Sequence, residues 1–263
     1  GSEAAMKKNG MTRYVIPSFL GVAVLYLVPF IIAQRYVIFP SGSAFTEIFS
    51  NMGFIISIKN TIIFICIFIP LAVIFGFVTA FATEYLNLGF WVQAAIVLPI
   101  TVPASSVSGF FKEMASSKAL ENVNGLLVVG IIFLWSCIGY TYIIFLISLK
   151  NRDKSIEEAA YLDGAGAFRT MFSIMLPLHS EAIVLAAIVS TYNSLKIFRV
   201  TYAVFGEYPN YRMFMIQNFL HLKLKELNMQ TLMAGADILL AFVFILLFLI
   251  LKLEQKHKRK MSL

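Results

Sequence analysis

Two groups of residues in this chain have types and spacing suited to functional chemistry. The first is Glu158, Ala159, Ala160, Asp163, Gly164 and Ala165, within the stretch EEAAYLDGAGAF. Its carboxylates can meet a basic surface, its alanines let that surface come close, and its glycines allow a tight turn. The second group lies inside apolar runs. Lys196 and Asp237 are charges where ionised groups are costly and normally face a cavity or a partner. Tyr140, Tyr142, Tyr192 and Asn193 add the aromatic faces and hydrogen-bonding groups that suit sugars.

The elements that carry these residues follow from composition. The 263 residues are 59% hydrophobic and 13% charged, with 25 phenylalanines. Soluble domains keep roughly a quarter of their residues charged, so this is the composition of a membrane protein. About 20 apolar residues cross a bilayer as a helix. Six segments qualify, near 14–34, 54–82, 91–111, 126–149, 178–204 and 229–251. Residues 1–5 read as a tag remnant ahead of a native Met6, and 6–263 as a single membrane domain with a polar excursion at 150–177. Cys66 and Cys137 sit in apolar runs and read as small core residues, not as a disulfide or a metal site.

Pro70, Pro99 and Pro103 are expected to break the second and third spans. VLPITVP predicts an irregular third span facing the protein interior, with a functionless kink as the equal alternative. An even number of spans places both ends on one side. Lys7, Lys8, Arg13 and the tail KLEQKHKRKMSL identify that side as cytoplasmic. The first apolar run is longer than a signal-peptide core and reads as a retained anchor. Arg152, Lys154 and Arg169 also fall inside, whereas Arg212, Lys223 and Lys225 fall outside. These flanks account for the net charge of +7 without a nucleic-acid partner.

The polar excursion reads as helix, turn, helix. Ser155 can cap the first helix, with Glu157 and Glu158 favoured in its first turn by the dipole. Ile156, Ala159 and Ala160 make a small apolar face. Gly164 and Gly166 break the helix, and Phe168, Met171, Phe172 and Met175 restart an apolar stripe. Pro177 fits the start of the fifth span. On periodicity alone, a connector helix without a partner fits equally well.

One pattern is more specific: Glu158-Ala159-Ala160, then Gly164, then Ile174, Leu176 and Pro177, with Asp163 and Ala165 completing DGA. It resembles the cytoplasmic signature of binding-protein-dependent ABC importer permeases. YLVPFII, NTIIFICIFIPLAVIFGFVTAF, VLPITVPASSVSGFFKEM and FLWSCIGYTYIIFLISLK are similar to the sugar-permease branch, which includes maltose and glycerol-phosphate importers. The chain departs from that branch at Arg199 and GEYP, where an acidic residue and a glycine cluster are usual. Its outward loop near ENVNGLL is also short.

The resemblance implies an all-α membrane protein with six transmembrane helices of the type I ABC importer permease fold and a cytoplasmic coupling helix near 155–163. It implies a second homologous permease, two ABC ATPase subunits holding ATP and Mg, and an extracytoplasmic binding protein that delivers a sugar or oligosaccharide. The membrane would be a bacterial or archaeal cytoplasmic membrane. The chain has no GxxxxGK[ST] phosphate loop, so hydrolysis falls to the partner.

Lys196 and Asp237 lie at similar depth in the fifth and sixth spans, which predicts a pair in the pathway. A structural ion pair or a snorkelling lysine is the plainer alternative. An importer of the same architecture for polyamines or anions is the nearest other function. An ion-coupled carrier would leave the coupling pattern unexplained. The chain shows no HExxH or GxSxG motif for a membrane enzyme.

Overall fold

A computed structural model of the chain describes residues 16–38, 44–102, 104–116, 125–153, 155–207 and 209–261. Among them, five helices are long and apolar enough to cross a membrane: Ile16–Ile38, Met52–Tyr85, Gly125–Lys150, Ser180–Phe205 and Met229–Lys256. In chain order the helices are α1 (Ile16–Ile38), α2 (Ala44–Ser50), α3 (Met52–Tyr85), α4 (Phe90–Thr101), α5 (Ala104–Ser116) and α6 (Gly125–Lys150). They continue with α7 (Ser155–Leu162), α8 (Ala167–Leu178), α9 (Ser180–Lys196), α10 (Phe198–Phe205), α11 (Ile216–Lys225) and α12 (Met229–Met261).

The expected third span is divided. α4 and α5 are each too short to cross a bilayer alone, and Val102 between them is extended at φ −84°, ψ 118°. The residue before a proline avoids the helical region, which accounts for Val102. Pro103 lies outside the described residues. Pro70 and Pro99 do not break their helices as expected: α3 and α4 continue through them. α4 is half-buried: Ile96 and Val97 pack against the core beside α6, whereas Trp91 and Leu98 are exposed.

The core is built on α3 and α6. Asn51 starts α3 by accepting hydrogen bonds from the N–H groups of Gly53 and Phe54 at 2.9 and 3.3 Å. Asn87, at φ +49°, ends it, and the N–H of Leu88 closes on the carbonyl of Thr83 at 2.9 Å. Phe64 meets Phe133 edge-on at 5.2 Å and Phe77 meets Phe145 at 5.3 Å. The two backbones approach closely because Gly76 faces Thr141 and Gly130 faces the ring of Phe68, where a β-carbon would overlap. Thr141 Oγ1 donates to the Ala72 carbonyl at 3.0 Å, joining the helices.

Two further layers attach to this pair. At the coupling end, Met175, Ala182 and Ala186 pack on Tyr142, Phe145 and Leu149. At the far end, Ile48, Phe54, Phe219 and Ala234 form a separate cluster that seats α11 and α12. There Thr61 Oγ1 accepts from the N–H of Ile216 at 3.0 Å, and Asn60 Nδ2 donates to the carbonyls of Tyr211 and Phe214.

Candidate functional site

The polar excursion leaves α6 through a tethered turn. The Arg152 side chain is almost fully buried, donates to the Leu149 carbonyl at 2.7 Å and lies 3.9 Å from Glu84 at the end of α3. Ser155 is the first residue of the helix that follows and not its cap, and Asp153 supports it from two residues before. The Asp153 Oδ1 accepts from the Ser155 N–H at 3.0 Å. That hydrogen bond holds the Asp153 carboxyl below the usual carboxylate range.

α7 is eight residues long. Its expected apolar face divides: Ala160 is buried against the molecule, whereas Ile156 and Ala159 are exposed. Ala165 is buried too, and its N–H bonds back to the Ala160 carbonyl at 2.9 Å. Gly164 lies between at φ +74°, where a side chain is strained whatever the space around it. This closure fixes the angle of the turn. Glu158, Ala159 and Asp163 are exposed on its outer side. Leu162 and Phe168 join them at 90% and 75% exposure. Sequence reasoning missed Leu162, although its place four residues after Glu158 puts both on one face.

Beyond the turn, Gly166 is extended and begins α8, which includes a π-helical stretch at Thr170–Met175. The stripe starting at Phe168 therefore changes character along its length. Phe168 is exposed and meets the partly buried Phe172 at a tilt, 4.8 Å between ring centres, whereas Met175 is fully buried in the core. Pro177 lies within α8 and not at the head of the fifth span, because the break comes at His179 (φ −94°, ψ 36°). His179 Nδ1 and Ser148 Oγ are 2.8 Å apart, tying this break to α6. The exposed turn is thus joined to the core by Arg152 on one side and by Met175 and His179 on the other.

The intramembrane candidates separate. Tyr142 is fully buried, 3.4 Å from Thr83 Oγ1, and packs between α3 and α6. Asp237 is half-buried and accepts from Gln34 Nε2 at 2.9 Å, so it ties α12 to α1. The Lys196 ammonium instead sits 3.9 Å above the Tyr192 ring. The expected Lys196–Asp237 pair is therefore not formed: similar depth did not give the same facing. Tyr192 is 58% exposed, Tyr140 is partly exposed, and Asn193 Nδ2 donates to the Val189 carbonyl of its own helix.

The overall fold is shared with a chain of a bacterial ABC transporter involved in the import of the acidic polysaccharide alginate. The TM-score is 0.79 at 16% identity, covering 97% of this chain and 98% of that one. A second structure, a bacterial alginate ABC transporter in complex with an alginate pentasaccharide-bound periplasmic protein, aligns at a TM-score of 0.74 and 16% identity over 99% and 97% of the two chains. The chain belongs to the family of binding-protein-dependent transport system inner membrane components, matched over residues 38–259.

Among curated relatives, the lactose transport system permease protein LacF of Rhizobium radiobacter is 27% identical over 56% of each chain. The xylose/arabinose import permease protein XacH of Haloferax volcanii is 28% identical, over 63% of this chain and 59% of that one. The sn-glycerol-3-phosphate transport system permease protein UgpA of Yersinia pestis is 26% identical over 72% and 66%. The chain thus spans about six-tenths of the length of the curated relatives it matches.

Proposed function

We propose that this chain is the membrane permease subunit of an ATP-driven importer that takes up a sugar or oligosaccharide handed over by an extracytoplasmic binding protein. The observation that carries this reading is the excursion around α7. It exposes Glu158, Leu162, Asp163 and Phe168 on a turn whose angle is set by Gly164 and whose two ends are anchored in the core. An exposed apolar and acidic knob on a braced arm is suited to receiving a push from a basic, grooved partner. The family and the names of the relatives support import and a saccharide cargo.

In this reading α7 seats in a cleft of one of two ATPase subunits, which hold ATP and Mg. Closure of the ATPase pair moves α7, and the Arg152, Met175 and His179 anchors carry the movement into α3, α6 and α9. A second, different permease supplies the other half of the pathway. Both chain ends face the cytoplasm of a bacterial or archaeal cell, following the basic residues at each end.

The test is biochemical. Pure chain is expected to hydrolyse no ATP, with hydrolysis appearing only when an ATPase subunit is added. The assembled importer is expected to contain an unlike second permease. Turnover by the rigorously pure chain, or a functional complex holding two copies of this chain and no other permease, contradicts the reading.

A further inference from the structure

We propose that the outer half of the fifth span presents a cationic, aromatic stripe to a water-filled pathway, and that the cargo it accepts is an anionic saccharide bearing a carboxylate, sulfonate or phosphate. This rests on the import reading above and adds the charge of the cargo to it.

The helix shows two opposed faces. Ser190, Ser194, Ile197, Thr201 and Val204 recur at three- and four-residue steps, with Thr191 beside the first, and all are buried. Tyr192, Lys196, Arg199 and Ala203 recur at the same steps on the other side, and all are exposed. Ile197, between α9 and α10, keeps helical angles (φ −60°, ψ −21°), so the stripe continues across the junction. Tyr202 borders it and is also exposed.

A face turned to lipid would have the opposite chemistry. Lys196 lies nine residues and Arg199 six residues before the end of the span at Phe205, about 13 and 9 Å along the axis. Neither forms an ion pair among the described residues. The acids of the neighbouring segments are engaged elsewhere: Glu207 with Lys225 at 2.8 Å, Glu226 with Lys223 at 2.6 Å, and Asp237 with Gln34. Glu113 on α5 also has an interaction of its own. Two positive charges within one helical turn are therefore left without a counter-charge among the described residues.

The local chemistry selects the ligand. A guanidinium binds carboxylate, sulfonate or phosphate oxygens through paired N–H donors. The Tyr192 ring holds the Lys196 ammonium above it by a cation–π contact, and it adds a flat surface for a sugar ring beside the charge. A neutral sugar would leave both cations uncompensated, whereas an acidic one neutralises them.

The test measures the field at the stripe in right-side-out membrane vesicles carrying the complete importer. Ala203→Cys places a thiol one turn beyond Arg199, in a Cys66→Ser background. Its labelling rate is compared between an anionic sulfonatoethyl and a cationic trimethylammonioethyl methanethiosulfonate, each normalised to a free thiol. The expected result is about a tenfold preference for the anionic reagent, falling to parity when Lys196→Met and Arg199→Met are added. Trigalacturonate should slow labelling, and maltotriose should not.

Slow reaction with both reagents means that lipid or protein covers the stripe, and overturns the proposal. Parity in the parent, or protection by maltotriose alone, overturns it as well. ATP-dependent sugar uptake that persists alongside any of these results leaves the import reading intact. ATP-independent uptake removes the import reading, while the labelling ratio still reports the charge of the stripe.

Discussion

The last span and the outer half of the fifth both leave a helix face uncovered by the rest of the chain. On α12 that face is Leu240, Phe244, Ile245, Phe248 and Leu249, all exposed and all apolar. On α9 and α10 it is Tyr192, Lys196, Arg199 and Ala203. The buried sides invert the usual expectation. The fifth span hides Thr191, Ser194 and Thr201, whose hydroxyls donate to carbonyls of their own helix at 2.8, 2.7 and 2.8 Å and so need no distant partner. Equal exposure therefore means different surroundings. The α12 face is at ease in hydrocarbon, and the fifth-span face requires water or an anion.

The sharpest way to break this contrast is to exchange the chemistry. Phe244→Arg puts a charge near the middle of the apolar α12 face, at a cost of about 2.5–3.5 kcal/mol. Membrane abundance, read by quantitative immunoblotting, should fall severalfold. Arg199→Leu on the fifth span should leave abundance unchanged while altering transport. Normal abundance of Phe244→Arg would show that α12 does not face lipid and would dissolve the comparison.

A smaller effect is expected where an intramembrane charge has a partner inside the chain. Asp237→Leu removes the acceptor for Gln34 and should lower the thermal stability of the detergent-solubilised protein by about 0.6–1.7 kcal/mol. Gln34→Leu should match it, and the double variant should add little. Full additivity would mean that the two side chains do not act as a pair. Lys196→Met, by contrast, should change transport without changing stability.

Much of the coupling segment was legible in the sequence. The glycine spacing gave the turn, and positive φ at Gly164 follows from the residue chosen there. Five of the six expected apolar runs coincide with long helices, and the third is the one divided into α4 and α5. Pro70 and Pro99 interrupt neither α3 nor α4, because losing one backbone donor does not by itself end a helix. The Lys196–Asp237 pair failed because distance along a helix fixes depth and not facing. Lys196 turned toward Tyr192 and Asp237 toward Gln34. Leu162 was missed because nothing in a helical period separates a core leucine from one offered to a partner.

The smallest predicted effect is at the start of α7. Asp153→Ala should loosen the start of the coupling helix and reduce the transport achieved per ATP, with Asp153→Asn largely restoring it. The Asp153 carboxyl titrates below the usual carboxylate range, so its charge is present at neutral pH. That contribution is lost only as pH falls through the lowered value. A change in coupling confined to neutral or alkaline pH would point to another group.

The account as a whole rests on α7 receiving force from an ATPase, and Glu158→Lys and Gly164→Val test it most directly. The first reverses a charge at an exposed contact, where like charges cost several kcal/mol. The second places a β-branched side chain at φ +74°. Neither alters a membrane span, so both variants should reach the membrane in normal amounts. The measurement is ATP-driven uptake alongside ATPase occupancy in the same vesicles. Weak ATPase binding, or hydrolysis without uptake, is the predicted result. Normal uptake at normal occupancy in both variants would make α7 a mere connector and contradict the account.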